Sequence, residues 1–309
     1  MNTVKETNPI TTWTDEKFTE SSKPSKTAEI IAMIRTEESL KPEDERICFD
    51  PYAIRFISPE VLEFAAREPE KFKALRKQME SSQPGHTNSI IARVRYIDDV
   101  TASSVASGVR QVVILGAGYD TRAYRIEGMA KVRTFEVDHP NTQRVKKEKI
   151  REIFGSLPGH VTYVPLDLAV HELGPQLRAG GFDPAERTLF VLEGLLLYLP
   201  PEAVDELLAF IRANSGRGSA IVFDYISQSV ADGTCELEIG KNMAKNVAAV
   251  GEPFRFGLKE GTLGQFLAER GFVNIKDLTS DDYRKLYFHG KNAERLLNPL
   301  LFFAYAEVG

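Results

Sequence analysis

Cysteine is nearly missing: Cys48 and Cys235 are the only two in 309 residues, far apart and at no CxxC spacing. That excludes a disulfide framework and a cysteine zinc site. Excess positive charge is missing too, with 39 Lys and Arg against 44 Asp and Glu and a net charge of -5. Phosphate affinity comes mainly from clustered Lys and Arg, so no nucleic-acid partner is expected. The basic positions Arg144, Lys146, Lys147 and Lys149 are interrupted and are expected to form a solvated helix face. No apolar run approaches the roughly 20 residues that span a bilayer. The first residues, MNTVKETNPITTWTDEKF, are polar and unlike a signal peptide. No membrane partner is expected, and the expected location is cytoplasmic. Histidines and carboxylates at metal-ligand spacing are also lacking, so no metal is implied.

What is present is a chain 42% hydrophobic and 27% charged, enough to bury a sizeable core. Residues 1–26 are rich in Thr, Ser, Lys and Glu and are expected to be a flexible arm. Residues 27–107 are expected to be a helical cover region. There Ile30, Ile31, Met33 and Ile34 follow a possible Thr27 cap, and Ile90, Ile91, Val94, Ile97 and Val100 form a stripe behind an Asn88 cap. From 108 to 309 the periodicity changes. Short β-branched runs at 112–115, 132–137, 161–166, 188–193 and 219–225 alternate with helical stretches such as 141–154 and 201–213. Such alternation predicts a parallel sheet with helices on both faces. After a helix at 260–270, FVNIKDLT and LLFFAYAEV read as two strands with no helix between them, which predicts an antiparallel C-terminal edge hairpin.

A third glycine is the most informative absence. Gly116, Ala117 and Gly118 follow the first strand directly, where open parallel sheets bind ligands, and glycines there let the backbone approach a ligand closely. The dinucleotide fingerprint requires another glycine at position 121, which is Thr121. A pyrophosphate therefore lacks its cradle at the helix N-terminus. The second strand ends in Glu136, Val137 and Asp138, and either acid has the spacing to accept from ribose hydroxyls. The third ends in Asp167 and Leu168, placed to meet an adenine amine and its ring. Two carboxylates repel a pyrophosphate and suit a sulfonium with an ammonium group, which favours S-adenosyl-L-methionine. In LEGLLLYLPPEAV, Glu193 is an acid within an apolar run, and Tyr198 would rim the place where donor meets acceptor. His86, in PGHTN, is the one histidine considered as a base. Arg255 or Arg122 is a candidate cation for a carboxylate acceptor.

Seven ordered pieces carry a resemblance: TAEIIAMIRTEES, FDPYA, SIIARVRYIDD, VVILGAGYDTRAYR, FEVDHP with TQRVKKEKI, VPLDLA and LEGLLLYLP. They cover residues 27 to about 225. Together they resemble the leucine carboxyl methyltransferase superfamily, including its bacterial S-adenosylmethionine-dependent and polyketide O-methyltransferase branches. The resemblance implies a class I, Rossmann-like α/β fold with a mostly parallel seven-stranded sheet. It also implies cofactor contacts from Arg93, Gly116, Asp138, Asp167, Leu168 and Glu193, which decides between Glu136 and Asp138 and assigns Arg93 to the methionine carboxylate. Residues 226–258 match no acceptor-specific pattern and are expected to be a substrate-cover insertion. The expected activity is O-methylation of a carboxylate or hydroxyl on a polyketide-like or other small molecule, by a monomer or homodimer. A nicotinamide-dependent oxidoreductase and a non-catalytic S-adenosylmethionine-binding protein are the alternatives.

Overall fold

The computed structural model describes residues 25–167, 172–249 and 251–309. The arm expected over 1–26 lies outside these residues except for Ser25 and Lys26. Four helices come first: α1 (Lys26–Ser39), α2 (Pro59–Arg67), α3 (Pro69–Ser82) and α4 (His86–Ala106). Ser25, not Thr27, caps α1, its hydroxyl accepting from the Ala28 N–H at 3.1 Å. Helix α4 starts at His86 behind Gly85 at φ 77°, so Asn88 lies in the first turn and instead donates to the Leu296 carbonyl. A side chain at position 85 would collide with the Leu296–Leu297 backbone at 2.6 Å, which makes the glycine obligatory there.

The sheet strands are β1 (Gln111–Leu115), β2 (Arg133–Asp138), β3 (Val161–Pro165), β4 (Thr188–Leu192), β5 (Ala220–Ile226), β6 (Phe272–Leu278) and β7 (Leu301–Val308). Their order is β3-β2-β1-β4-β5-β7-β6, with β1 to β5 parallel and β7 antiparallel to both neighbours. Strand order therefore reverses between β1 and β4, and a crevice opens at their carboxyl ends. Side chains alternate between two cores. Val112, Ile114 and Val191 face a core with Ile90, Ile91, Val94 and Ile97 of α4, while Val113, Leu115 and Phe190 face the other. Both faces are covered, which is why β1 and β4 are buried along their whole length.

The remaining helices are α5 (Arg122–Arg125), α6 (Pro140–Phe154), α7 (Leu173–Ala179), α8 (Pro201–Ala213), α9 (Gln228–Ala231), α10 (Glu238–Ala249), α11 (Leu263–Ala268) and α12 (Ser280–Tyr287). Pro201 opens α8 at its first turn, where a missing N–H costs nothing, and Val204, Leu207, Leu208 and Ile211 bury its inner face. The antiparallel C-terminal pair is present, but its connection carries α12, starting at a Thr279–Asp282 capping box. Only Tyr283 of α12 is buried, so its apolar periodicity is too weak to announce a helix. Lys146 of α6 departs from the solvated face expected of it. It is 1% exposed and pairs with Glu136 at 2.8 Å. Among the described residues no helix is long and apolar enough to cross a membrane.

Candidate active site

A cavity of about 940 Å³ lies over the carboxyl ends of β1 and β4. Its floor at one end is the glycine turn. Gly116 and Gly118 have φ of 65° and 38°, in the left-handed region that glycine enters freely. The Ala117 N–H donates to the Val137 carbonyl at 3.0 Å, and the buried Lys146 ammonium donates to the Ala117 carbonyl at 3.2 Å, so the turn is tied to β2 and α6. Asp138 lines the cavity at the end of β2, one carboxylate oxygen held by the Gly118 N–H at 2.5 Å. Burial raises the Asp138 pKa, with the Gly118 N–H and Lys146 opposing the rise. Glu136 is wholly buried instead. It bonds Lys146 and the Tyr124 hydroxyl, and so is not a wall residue.

Beyond the turn, pieces of sequence from Arg35 to Asp224 meet in one network of charge. Asp50 accepts from Thr121 Oγ1 at 2.7 Å and pairs with Arg35 at 3.2 Å. Asp98 pairs with Arg122 and with Arg125, both at 2.7 Å. Arg122, 1% exposed, also holds Asp120 and Glu193. Glu193 and Asp224 each receive Arg93 at 2.9 Å, and Asp224 takes the Gly194 N–H at 2.6 Å. Burial works against the ionised Glu193, but Arg122 and Arg93 overcome it and hold its pKa below the usual range. At Asp224 burial prevails over Arg93 and the pKa is raised. Asp120 is held at about 2, burial being outweighed chiefly by Arg122. An unpaired buried charge is costly, so each member is retained by its partners.

This network explains why α5 makes no pyrophosphate site. It has only four residues, and the Arg122 N–H at its start already donates to Asp120 Oδ1 at 2.6 Å. Arg122 is equally unavailable to an acceptor, because its guanidinium is enclosed by three carboxylates. Arg255 differs. It is exposed at the cavity rim and forms no ion pair among the described residues.

Of the expected site residues, Arg93, Gly116, Ala117, Gly118, Asp138, Glu193, Tyr198 and His86 all line the cavity. Asp167 does not: it is half-buried, two residues beyond β3. Leu168 lies outside the described residues. Arg93 leaves its Nη2 without a hydrogen bond among the described residues. Tyr198 stacks on Phe254 with ring centroids 5.7 Å apart, and burial raises its pKa, so its hydroxyl stays protonated at neutral pH. His86 bonds Asn298 through Nδ1 at 3.1 Å, and burial, then Arg93, lowers its pKa to about 4. The sequence reading missed Asp224, Asn298, Asp50 and Asp98 as parts of this centre. The last two stand inside the quoted FDPYA and YIDD pieces; Asn298 in LNPLL carries no local signal.

The far wall is apolar. Ile30, Ile31 and Ile34 of α1, Leu75 and Met79 of α3, and Met243 and Val247 of α10 form it. Thr27 Oγ1 donates to Glu252 at 2.6 Å and Asn242 Nδ2 to the Ser82 carbonyl at 2.8 Å, joining the segment after β5 to the N-terminal helices.

Residues 28–212 match the family model described as leucine carboxyl methyltransferase. A protein of Mycobacteroides abscessus, provisionally named an S-adenosyl-L-methionine-dependent methyltransferase, is 31% identical over 280 residues, 88% of this chain and 90% of its own. A Bacillus subtilis protein with the same provisional name, YktD, is 30% identical over 77% of each chain. Among solved structures, a provisionally named methyltransferase of Thermobifida fusca superposes with a TM-score of 0.60 at 15% identity, over 94% of this chain and 96% of that one. That likeness concerns the fold. The family match spans the glycine turn, the end of β2 and the Glu193 segment, which meet at the cavity, and the chain belongs to the leucine carboxyl methyltransferase family.

Proposed function

We propose that the cavity joins S-adenosylmethionine to a small, largely apolar acceptor and that the protein methylates an oxygen of that acceptor, a carboxylate or a hydroxyl. Family membership sets the class of reaction as methyl transfer from S-adenosylmethionine. The observation that carries the assignment of the site is Asp138, facing the cavity with one oxygen anchored by Gly118 and the other available to ribose hydroxyls. The donor set fits that cofactor: a close-approach turn, a carboxylate for ribose, and acids beside a cationic group, with no phosphate cradle. Arg93 Nη2 would take the methionine carboxylate, while Glu193 and Asp224 give the surroundings the negative charge a sulfonium prefers. Asp167 and Leu168 keep their assignment to the adenine.

Bound there, the cofactor supplies an electrophilic methyl. The protein's contribution is alignment of acceptor oxygen, methyl and sulfur in a dry pocket, which lowers the barrier without a dedicated base. We assign 27–107 and 226–258 to the cover over the acceptor end, with Tyr198 and Phe254 as an aromatic wall. S-adenosylhomocysteine is expected to raise the melting temperature, NADH and NADPH to leave it unchanged, and Asp138→Ala to abolish the rise. Stabilisation by NADH alone would sink the reading.

A further inference from the structure

We propose that Glu252 is a binding residue for an ammonium group at the methyl-transfer end of the cavity, carried either by the cofactor's methionine or by the acceptor. This deepens the methyltransferase reading and rests on it. Among the described residues five acids line the cavity: Asp120, Asp138, Glu193, Asp224 and Glu252. Asp120, Glu193 and Asp224 pair with arginines. Asp138 accepts from the Gly118 N–H, and the Lys146 charge favours its ionised form. Glu252 has no ion pair among the described residues. Its Oε2 accepts from Thr27 Oγ1 at 2.6 Å, a neutral donor, and its Oε1 makes no hydrogen bond among those residues.

The backbone holds this carboxylate in place. Gly251, at φ 82°, ends α10, its N–H donating to the Ala248 carbonyl at 3.1 Å and the Glu252 N–H to the Val247 carbonyl at 3.0 Å. Three residues on, the Arg255 N–H donates to the Leu197 carbonyl at 2.8 Å, and Phe254 stacks on Tyr198. Glu252 is thus strung between α10 and the segment that carries Tyr198. The Tyr198 hydroxyl feels both sides: burial raises its pKa most, the Glu252 charge next, and Arg93 opposes them. Glu252 therefore belongs to the end of the cavity where Arg93 would hold the methionine carboxylate.

Among the described residues no cation answers it. The negative pole of α10 adds to the carboxylate's charge. Arg255 is exposed at the rim and does not pair with it. Val247, Pro253 and Phe254 beside it are apolar. A half-buried carboxylate in such surroundings is costly until a cation meets it. A hydroxyl would donate to Oε1 and leave the charge, whereas an ammonium answers both through a short charge-assisted bond. Two ligands can bring that group. The cofactor's ammonium sits on the carbon beside the carboxylate assigned to Arg93. An amine on the acceptor would arrive from the apolar wall, to which Val247 belongs.

The test uses the full chain and two matched comparisons, in the wild type and in Glu252→Gln, which keeps the side chain's size and can still accept from Thr27 but has no charge. In the first, calorimetry compares S-adenosylhomocysteine with its analogue lacking only the α-amino group. In the second, with S-adenosylhomocysteine bound, aromatic and medium-chain primary amines are compared with alcohols of the same skeleton. The wild type is expected to prefer the amine-bearing member of one pair, and Glu252→Gln to reduce that preference about tenfold, the worth of a charge-assisted hydrogen bond. Reduction in the first comparison assigns the ammonium to the cofactor, and in the second to the acceptor. A preference that is absent from both, or that survives in Glu252→Gln, overturns the proposal. Thr27→Val breaks the same hydrogen bond but keeps the charge, and is expected to keep the preference. Were Glu252 only a clasp to α1, Thr27→Val would weaken both members of each pair alike and Glu252→Gln would change nothing. A wild type that binds neither S-adenosylhomocysteine nor its analogue fails the methyltransferase reading, whereas binding without any effect of Glu252→Gln fails this proposal alone.

Discussion

At the strand ends the cavity wall is charge held by charge: Arg93 and Arg122 each grip two or more carboxylates, and almost nothing there is free to turn. Across from it, Ile30, Leu75, Met79, Met243 and Val247 come from three separate helices and offer only shape. The first wall is determined by hydrogen-bond geometry and tolerates little change. The second is determined by volume and can be repacked at small cost. On the proposed reading, the charged end holds the donor in a single pose and the apolar end is the part to be altered as the acceptor changes.

The difference can be broken by substitution, starting with the charged end. Arg122→Met leaves Asp98, Asp120 and Glu193 short of a cation, and should cost about 3–5 kcal/mol in denaturant unfolding. A loss under about 1 kcal/mol would mean the network does not hold the donor end together. The next effect is a pH dependence at the boundary between the two walls. The folded His86 pKa of about 4 lies below its ordinary value, so the unfolded chain binds the proton first as pH falls. Between about pH 6.5 and 4 the protein should lose up to about 3 kcal/mol that His86→Gln does not lose. Equal acid sensitivity in both proteins would contradict the burial of a neutral ring. Gly118→Ala places a methyl 3.3 Å from Ala28 at a positive φ. It should cost about 1–2 kcal/mol and weaken S-adenosylhomocysteine binding. The smallest effect belongs to the apolar wall. Met79→Ala should change stability by no more than about 1 kcal/mol and leave the melting shift with S-adenosylhomocysteine intact, while altering the KM for the acceptor. Loss of that shift would show that the two ends are not independent.

The alternation of strand and helix from 108 onward was legible because β-branched runs and helical stripes differ in period, and β1 to β5 lie within a residue or two of their expected bounds. The donor end was legible for a related reason. Its parts sit on turns and strand ends, where glycine and acid are required at fixed positions in the chain. Lys146 was misjudged because a cation in sequence looks solvated whatever it meets in space, and Arg122 was a candidate for the acceptor because its partners are invisible there; only Glu136 beneath one and three carboxylates around the other reveal that both are buried. Helix α12 was hidden because it buries a single residue.

By itself, then, the sequence determined the layered α/β fold, the position of the glycine turn and the acid that follows β2, since these depend on local conformation and on periodicity along the chain. The tertiary structure alone decided that Asp50, Asp98 and Asp224 join the charge network behind the cavity and that Asn298 meets His86. These facts depend on contacts between residues 24 to 212 positions apart, such as Asp98 with Arg122 and Asn298 with His86, and no local pattern encodes a hydrogen bond across such distances.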